Sequence, residues 1–152
     1  MAISTATKVA SAFLHLSEKR GAGVTNLKLQ KYLYYAQAWF LVFNDEPLFD
    51  DALEAWVHGP VVAHVFGDYK SYRWSPIGDG GTAIGIPAVE AHLEEILRVY
   101  SKFTASQLER LTHQEKPWRE ARGGLPLDES SRNVISHGTM KQFYSDLMDA
   151  AK

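Results

Sequence analysis

The stretch from Asn26 to Phe43, NLKLQKYLYYAQAWFLVF, limits this chain's fold more than any other. Leu29, Tyr32, Leu33, Ala36, Phe40 and Phe43 recur at the three- and four-residue spacing of one helical face. Tyr35, Ala38, Trp39 and Val42 make the other sides apolar too, after an opening turn carrying Lys28, Gln30 and Lys31. Thr25 stands where an N-cap is needed. A helix that is apolar nearly all round must be packed on several sides. The expectation is a mainly α fold built around this aromatic-rich helix, about 26–43. A membrane span would take about 18 or more uninterrupted apolar residues. The run Tyr32 to Phe43 is broken by Gln37, and the first twenty residues lack a signal peptide's charged start and apolar middle. A soluble, cytoplasmic protein is expected.

Around the central helix the pattern is helical with few exceptions. Ser4 or Thr5 can cap a first helix running to Lys19, with Val9, Phe13, Leu14 and Leu16 inward and Gly21 and Gly23 punctuating its end. Leu53 to Val57 alternates with period two, which suggests a short strand or hairpin near 53–57. Gly59-Pro60 then breaks the chain. Pro60 suits the first position of a helix, predicted through Val61, Val65, Phe66 and Tyr69 to about Tyr72. Residues 75–87 hold four of the eleven glycines and two of the six prolines, and read as a long loop of the functional or mobile kind. An amphipathic helix follows over about 88–103. Thr104 and Gln107 form a capping box for a short helix to about Thr112. Pro117 opens another through Arg122, and Ser136 caps the last. At 152 residues, with 45% hydrophobic and 12% aromatic residues, one domain over 1–152 is expected, able to hold a core without disulfide or metal.

Composition removes several functions. There is no cysteine, which excludes thiol catalysis and every thiolate zinc site. Net charge is −2, from 16 Lys and Arg against 18 Asp and Glu, whereas a chain tracking nucleic-acid phosphates carries a basic excess. No GxSxG is present, and the glycines near Gly80 are not followed by Gly-Lys-Ser/Thr. Among the six histidines, His113 lies close to Glu115 at a helix end, which would suit a metal-ligand or acid–base pair; a hydrogen-bonded structural histidine is the commoner role. Two segments concentrate large aromatics: Leu27 to Trp39, and Leu111 to Trp118. Their tyrosines and tryptophans suit either a core with hydrogen-bonded edges or a recognition surface. Lys28 and Lys31 share a face at a helix start, against the helix dipole, where solvent or a partner's carboxylate would account for them. Residues 44–54 carry five acids and no base, and 110–122 carry four bases against two acids; each is either a solvated face or a charged docking patch.

Three segments, TNLKLQKYLYYAQAW, PLFDDALEAWVHGPVV and LTHQEKPWREA, resemble in order and spacing the signatures of the Panacea antitoxin family, which takes in phage-associated GepA-like and SocA-like proteins. The resemblance covers about residues 5–148. It implies an antitoxin that binds and neutralises a protein toxin encoded nearby, and it suggests a second mode as an adaptor delivering the toxin to an AAA+ protease such as ClpXP. It implies no enzyme activity, no cofactor and no metal. Carried over as motif or partner-binding positions are Lys28, Gln30, Lys31, Tyr34, Tyr35, Trp56, Gly59, Pro60, Val61, His113, Pro117 and Trp118. Phe40 and His58 depart from the family pattern, which weakens a shared catalytic histidine. Two alternatives stay open: a DNA-binding regulator, with Gly21–Gly23 as the turn before a recognition helix, and a metal-dependent hydrolase around His113 and Glu115.

Overall fold

The computed structural model describes residues 2–151. Its elements are α1 (Ala6–Lys19), α2 (Asn26–Asn44), β1 (Glu54–Trp56), β2 (Gly59–Val61), α3 (Ala63–Asp68), a 3-10 turn (Lys70–Tyr72), α4 (Pro87–Tyr100), α5 (Ala105–His113), α6 (Lys116–Arg122) and α7 (His137–Ala150). The protein is mainly α with one short two-stranded hairpin. Local capping chemistry sets most helix starts: the hydroxyls of Thr5, Thr25, Thr104 and Ser136 each accept the N–H three residues on, and Gln107 completes the capping box. No helix among the described residues is long and apolar enough to cross a membrane.

α2 is the central helix. It packs against α1, α3, α4, α5, α7 and β2, and every residue from Leu29 to Ala38 is buried. Tyr34 and Tyr35 are wholly enclosed, as are Tyr144 of α7 and Trp118 of α6. Tyr35 stacks on Tyr100 of α4 with ring centroids 3.8 Å apart, and Tyr34 meets Tyr144 edge-on. The polar interruption of this helix also has a fixed use. Gln37 donates to the Phe49 carbonyl at 2.7 Å and accepts from Leu48 N–H at 2.8 Å, tying the 44–53 turn to the core.

The hairpin corrects one expectation. Gly59, Pro60 and Val61 form a strand opposite Trp56, Ala55 and Glu54, and α3 begins only at Ala63, so Pro60 does not start a helix. The expected helix is also cut short: α3 ends at Asp68, and only the 3-10 turn reaches Tyr72. The cause is tertiary. Gln30 takes the Val62 N–H at 3.0 Å and Lys31 donates to the Pro60 carbonyl at 3.3 Å, so both side chains of α2 hold 59–62 extended. Proline pairs here without donating, as a strand in a two-stranded hairpin allows. On its other side β1 bonds to 133–135, through Ala55 N–H to the Asn133 carbonyl and Ile135 N–H to the Leu53 carbonyl, both at 2.8 Å.

The 75–87 loop is strapped down. Ile77 N–H reaches the Val24 carbonyl, and Thr82 N–H bonds the Ser11 hydroxyl at 2.8 Å. Gly81 lies so close to α1 that a Cβ there would fall 2.0 Å from the Ser11 carbonyl oxygen, and its φ is +68°. Only glycine fits.

Candidate partner-binding site

Four of the residues singled out from the sequence, Gln30, Lys31, His113 and Trp118, converge on the main chain of the hairpin. Gln30 and Lys31 hold Val62 and Pro60 from α2. From the α5–α6 corner, the Trp118 indole donates to the Trp56 carbonyl at 2.8 Å, and the His113 ring hydrogen-bonds the backbone of Val57. Arg122 adds a contact to the Ala55 carbonyl at 3.2 Å, while its other nitrogen bonds the Pro126 and Glu129 carbonyls. His113 stacks on Trp118 at 4.0 Å, and the Arg122 guanidinium lies 4.6 Å from the same ring. These contacts form a clamp with the hairpin between α2 and α6. Gly59 is the point of closest approach: its φ is +103°, and a Cβ would meet Lys31 Cε at 2.6 Å and Thr112 Oγ1 at 2.9 Å. Arg122, counted in the sequence only among a run of bases, is a buried part of this clamp; its spacing from Trp118 on a helix is the signal that could have found it.

Burial redefines several candidates. Lys31 is only 1% exposed, neither solvated nor on a docking face, and desolvation lowers its pKa to about 7, outweighing the opposing pull of Glu109. Lys28 is half-buried and donates to the Ser101 carbonyl at 2.7 Å, so its charge sits at the C-terminal end of α4, where the dipole favours a cation. Glu115 is buried and accepts from the Tyr144 hydroxyl at 2.7 Å and from Tyr35 at 3.5 Å. Desolvation raises it to about 7, outweighing the two hydroxyls. Tyr34 and Tyr35 are pushed well up by the same burial and by the neighbouring carboxyl. His113 and Glu115 are thus held apart by different partners: the ring lies on Trp118, while the carboxyl turns to the tyrosines of α2 and α7. Burial lowers the His113 pKa, and its Nε2 is enclosed without a partner. Among the described residues no cluster of three or more His, Asp or Glu is placed to hold a metal ion. The buried stretch of α2 likewise leaves no face with which to enter a DNA groove.

The acidic stretch is largely spoken for within the fold. Asp51 accepts from Ala6 N–H and pairs with His64, Glu54 takes Arg132 and the Trp56 indole, and Asp45 pairs with Lys141. The accessible chemistry lies elsewhere. Between the hairpin turn, α3, the 3-10 turn and residues 130–132 runs a groove of about 740 Å³, lined by Trp56, His58, Phe66, Lys70 and Arg132 among others. His58, Phe66 and Lys70 are shared with an adjoining hollow of about 300 Å³ bounded by Leu27, Arg73 and Trp74. Trp74 is 80% exposed. Of the motif residues only Trp56 lines this groove; Gln30, Lys31, Tyr34, Tyr35, Gly59, Pro60, Val61, Pro117 and Trp118 are buried. Sequence reasoning missed Phe66, Lys70, Arg73 and Trp74 as a surface, because it placed the first two on a longer helix. An aromatic beside two bases at the edge of a glycine-rich loop was the available signal. A separate apolar hollow of about 390 Å³, lined by Trp39, Phe43, Ile96, Val99, Leu147 and Met148 among others, sits at the far end of α2.

A small helical domain with a clamped hairpin, bearing these three motifs in order, defines the class. The family described as Antitoxin SocA-like, Panacea domain, matches residues 29–119, and this chain belongs to it. The matched region spans α2 through most of α6, which includes every clamp residue except Arg122. The chain is similar to Antitoxin SocA of Caulobacter vibrioides (strain NA1000 / CB15N), with 27% identity over 127 residues, covering 74% of this chain and 68% of the relative. No solved structure matches it.

Proposed function

We propose that this chain is the antitoxin of a toxin–antitoxin pair, acting in the cytoplasm as one module over residues 1–152 and neutralising a protein toxin encoded nearby by direct binding. Membership of the antitoxin family supports the role, and the groove at the hairpin is the observation that carries direct binding. The exposed Trp74 and Arg73 of the hollow adjoining it are residue types that dominate protein-binding energetics. The clamp holds the groove's wall rigid, which lowers the ordering cost of association. The mode is stoichiometric binding with no chemical step. The experiment is growth of cells expressing the neighbouring open reading frame alone and with this protein, followed by co-purification. Arrest alone, rescue together and a stable complex are expected; toxicity that this protein neither relieves nor binds would overturn the reading.

The second mode, delivery of the bound toxin to an AAA+ protease such as ClpXP, rests on a different observation. The basic groove and the apolar hollow lie at opposite ends of α2, with Leu27 and Phe43 separated by about 24 Å at 1.5 Å per residue. Two such sites allow a toxin and a protease to be held together. The toxin's half-life should lengthen on depletion of the protease while the antitoxin–toxin complex persists. An unchanged half-life would leave neutralisation by binding alone.

A further inference from the structure

We infer that the groove at the hairpin takes an extended acidic segment of its partner, one that alternates carboxylates with apolar side chains. This rests on the antitoxin reading only for the partner's name; the chemistry comes from the groove. Its lining holds three permanent cations, Lys70, Arg73 and Arg132, and no carboxylate, although the chain as a whole carries net charge −2. Arg132 is already matched by Glu54, and His58 by Glu109 at 2.9 Å. Lys70 and Arg73 remain as the cations with no carboxylate partner among the described residues, and both flank Phe66 and Trp74 in the adjoining hollow.

A groove with charge on its rim and aromatic rings in its wall is complementary to a strand with acids on one side and apolar groups on the other. The backbone supports the same assignment. Arg73 adopts φ +53° and ψ −118°, a conformation an L residue rarely takes and one that costs free energy. It turns the chain so that Trp74 stands out into solvent rather than continuing the 3-10 turn. A single-stranded nucleic acid is the other polyanion with a liking for tryptophan. It would need cations repeated along a backbone track, and two free ones on a net-negative molecule do not supply that.

The test uses the full chain, a short fluorescein-labelled peptide alternating Glu with Leu, and its Lys–Leu counterpart. Binding of the acidic peptide should weaken about tenfold as salt rises from about 0.05 to 0.5 M. It should fall at least about tenfold in Lys70→Glu/Arg73→Glu, whose melting temperature stays at the wild-type value because both side chains are exposed. Equal binding of the Lys–Leu peptide, or an unaffected double variant, would overturn the inference. So would a single-stranded RNA oligonucleotide that binds through the same two residues and displaces the peptide. Growth rescue separates this inference from the antitoxin reading. Rescue by the double variant as by wild type would sink the groove and spare the antitoxin. Salt-sensitive peptide binding with no rescue by wild type would do the reverse.

Discussion

Lys28 and Lys31 sit one turn apart on α2 and live in different solvents. The first reaches out to the end of α4; the second lies under Gly59 with a carbonyl as its hydrogen-bond partner. Their charge reversals should therefore differ sharply. Lys28→Glu sets a carboxylate at the negative end of α4 and should cost about 1 kcal/mol. Lys31→Glu buries an acid close to Glu109 and should cost more than about 3 kcal/mol or prevent folding, as read by urea denaturation. Comparable losses in the two variants would contradict the burial of Lys31.

The same two-sided chemistry gives a pH signature. Glu115 holds its proton more tightly folded than unfolded, about 7 against 4.5, so its contribution to stability is full below pH 4.5 and is lost as pH rises through 7. Lys31 runs the other way: its folded pKa of about 7 lies below the ordinary 10.5, so its penalty is present below pH 7 and eases as pH climbs towards 10.5. These two groups together place a minimum of stability near neutrality. Glu115→Gln keeps an oxygen to accept from Tyr144 and should abolish the decline between pH 4.5 and 7, worth roughly 3 kcal/mol. The rise above pH 7 should survive in that variant. A decline that persists would mean another group carries it.

At the scale of elements, the hairpin is held by side chains that reach its backbone from α2, α5 and α6. Trp118→Ala should cost about 3–5 kcal/mol, since the ring is wholly buried. Trp118→Phe keeps most of the packing but leaves the Trp56 carbonyl without its donor, costing about 1–3 kcal/mol. Amide exchange of the 54–61 hairpin should speed up in both variants while exchange in α4 stays slow. Uniform acceleration throughout would make Trp118 a general core residue instead of a clamp. The elements were legible in the sequence wherever their causes are local. The caps at Thr25, Thr104 and Ser136 are written three residues from their targets, and the all-round apolar run of α2 announced its central place. β2 was illegible for the opposite reason. What holds Gly59-Pro60 extended lies about thirty residues upstream, in Gln30 and Lys31, and local preference alone pointed to a helix.

For the whole molecule, the tryptophans divide by environment. Trp118 is enclosed, Trp39 and Trp56 are half-buried, and Trp74 is open to water. Acrylamide should quench Trp74 fluorescence first, and binding of a partner in the groove should protect it. Quenching of Trp74 unchanged in the complex would place the contact on another face. The candidate site was the least legible part, because its walls come from 26–27, 56–58, 63–74 and 130–132, and only folding brings these together. The motifs that were legible sort mostly into the buried scaffold.

That scaffold fastens the hairpin through the carbonyls of Ala55, Trp56 and Pro60, the backbone of Val57 and the N–H of Val62. Main-chain atoms are common to every residue type, so such a mounting is blind to what the tip displays. Val57 can be exchanged with no anchoring bond lost, and His58 at the cost of its exposed contact with Glu109 alone, so a changed tip inherits the same main-chain seat. New recognition at this edge is therefore open to single substitutions, while the anchoring residues must stay fixed.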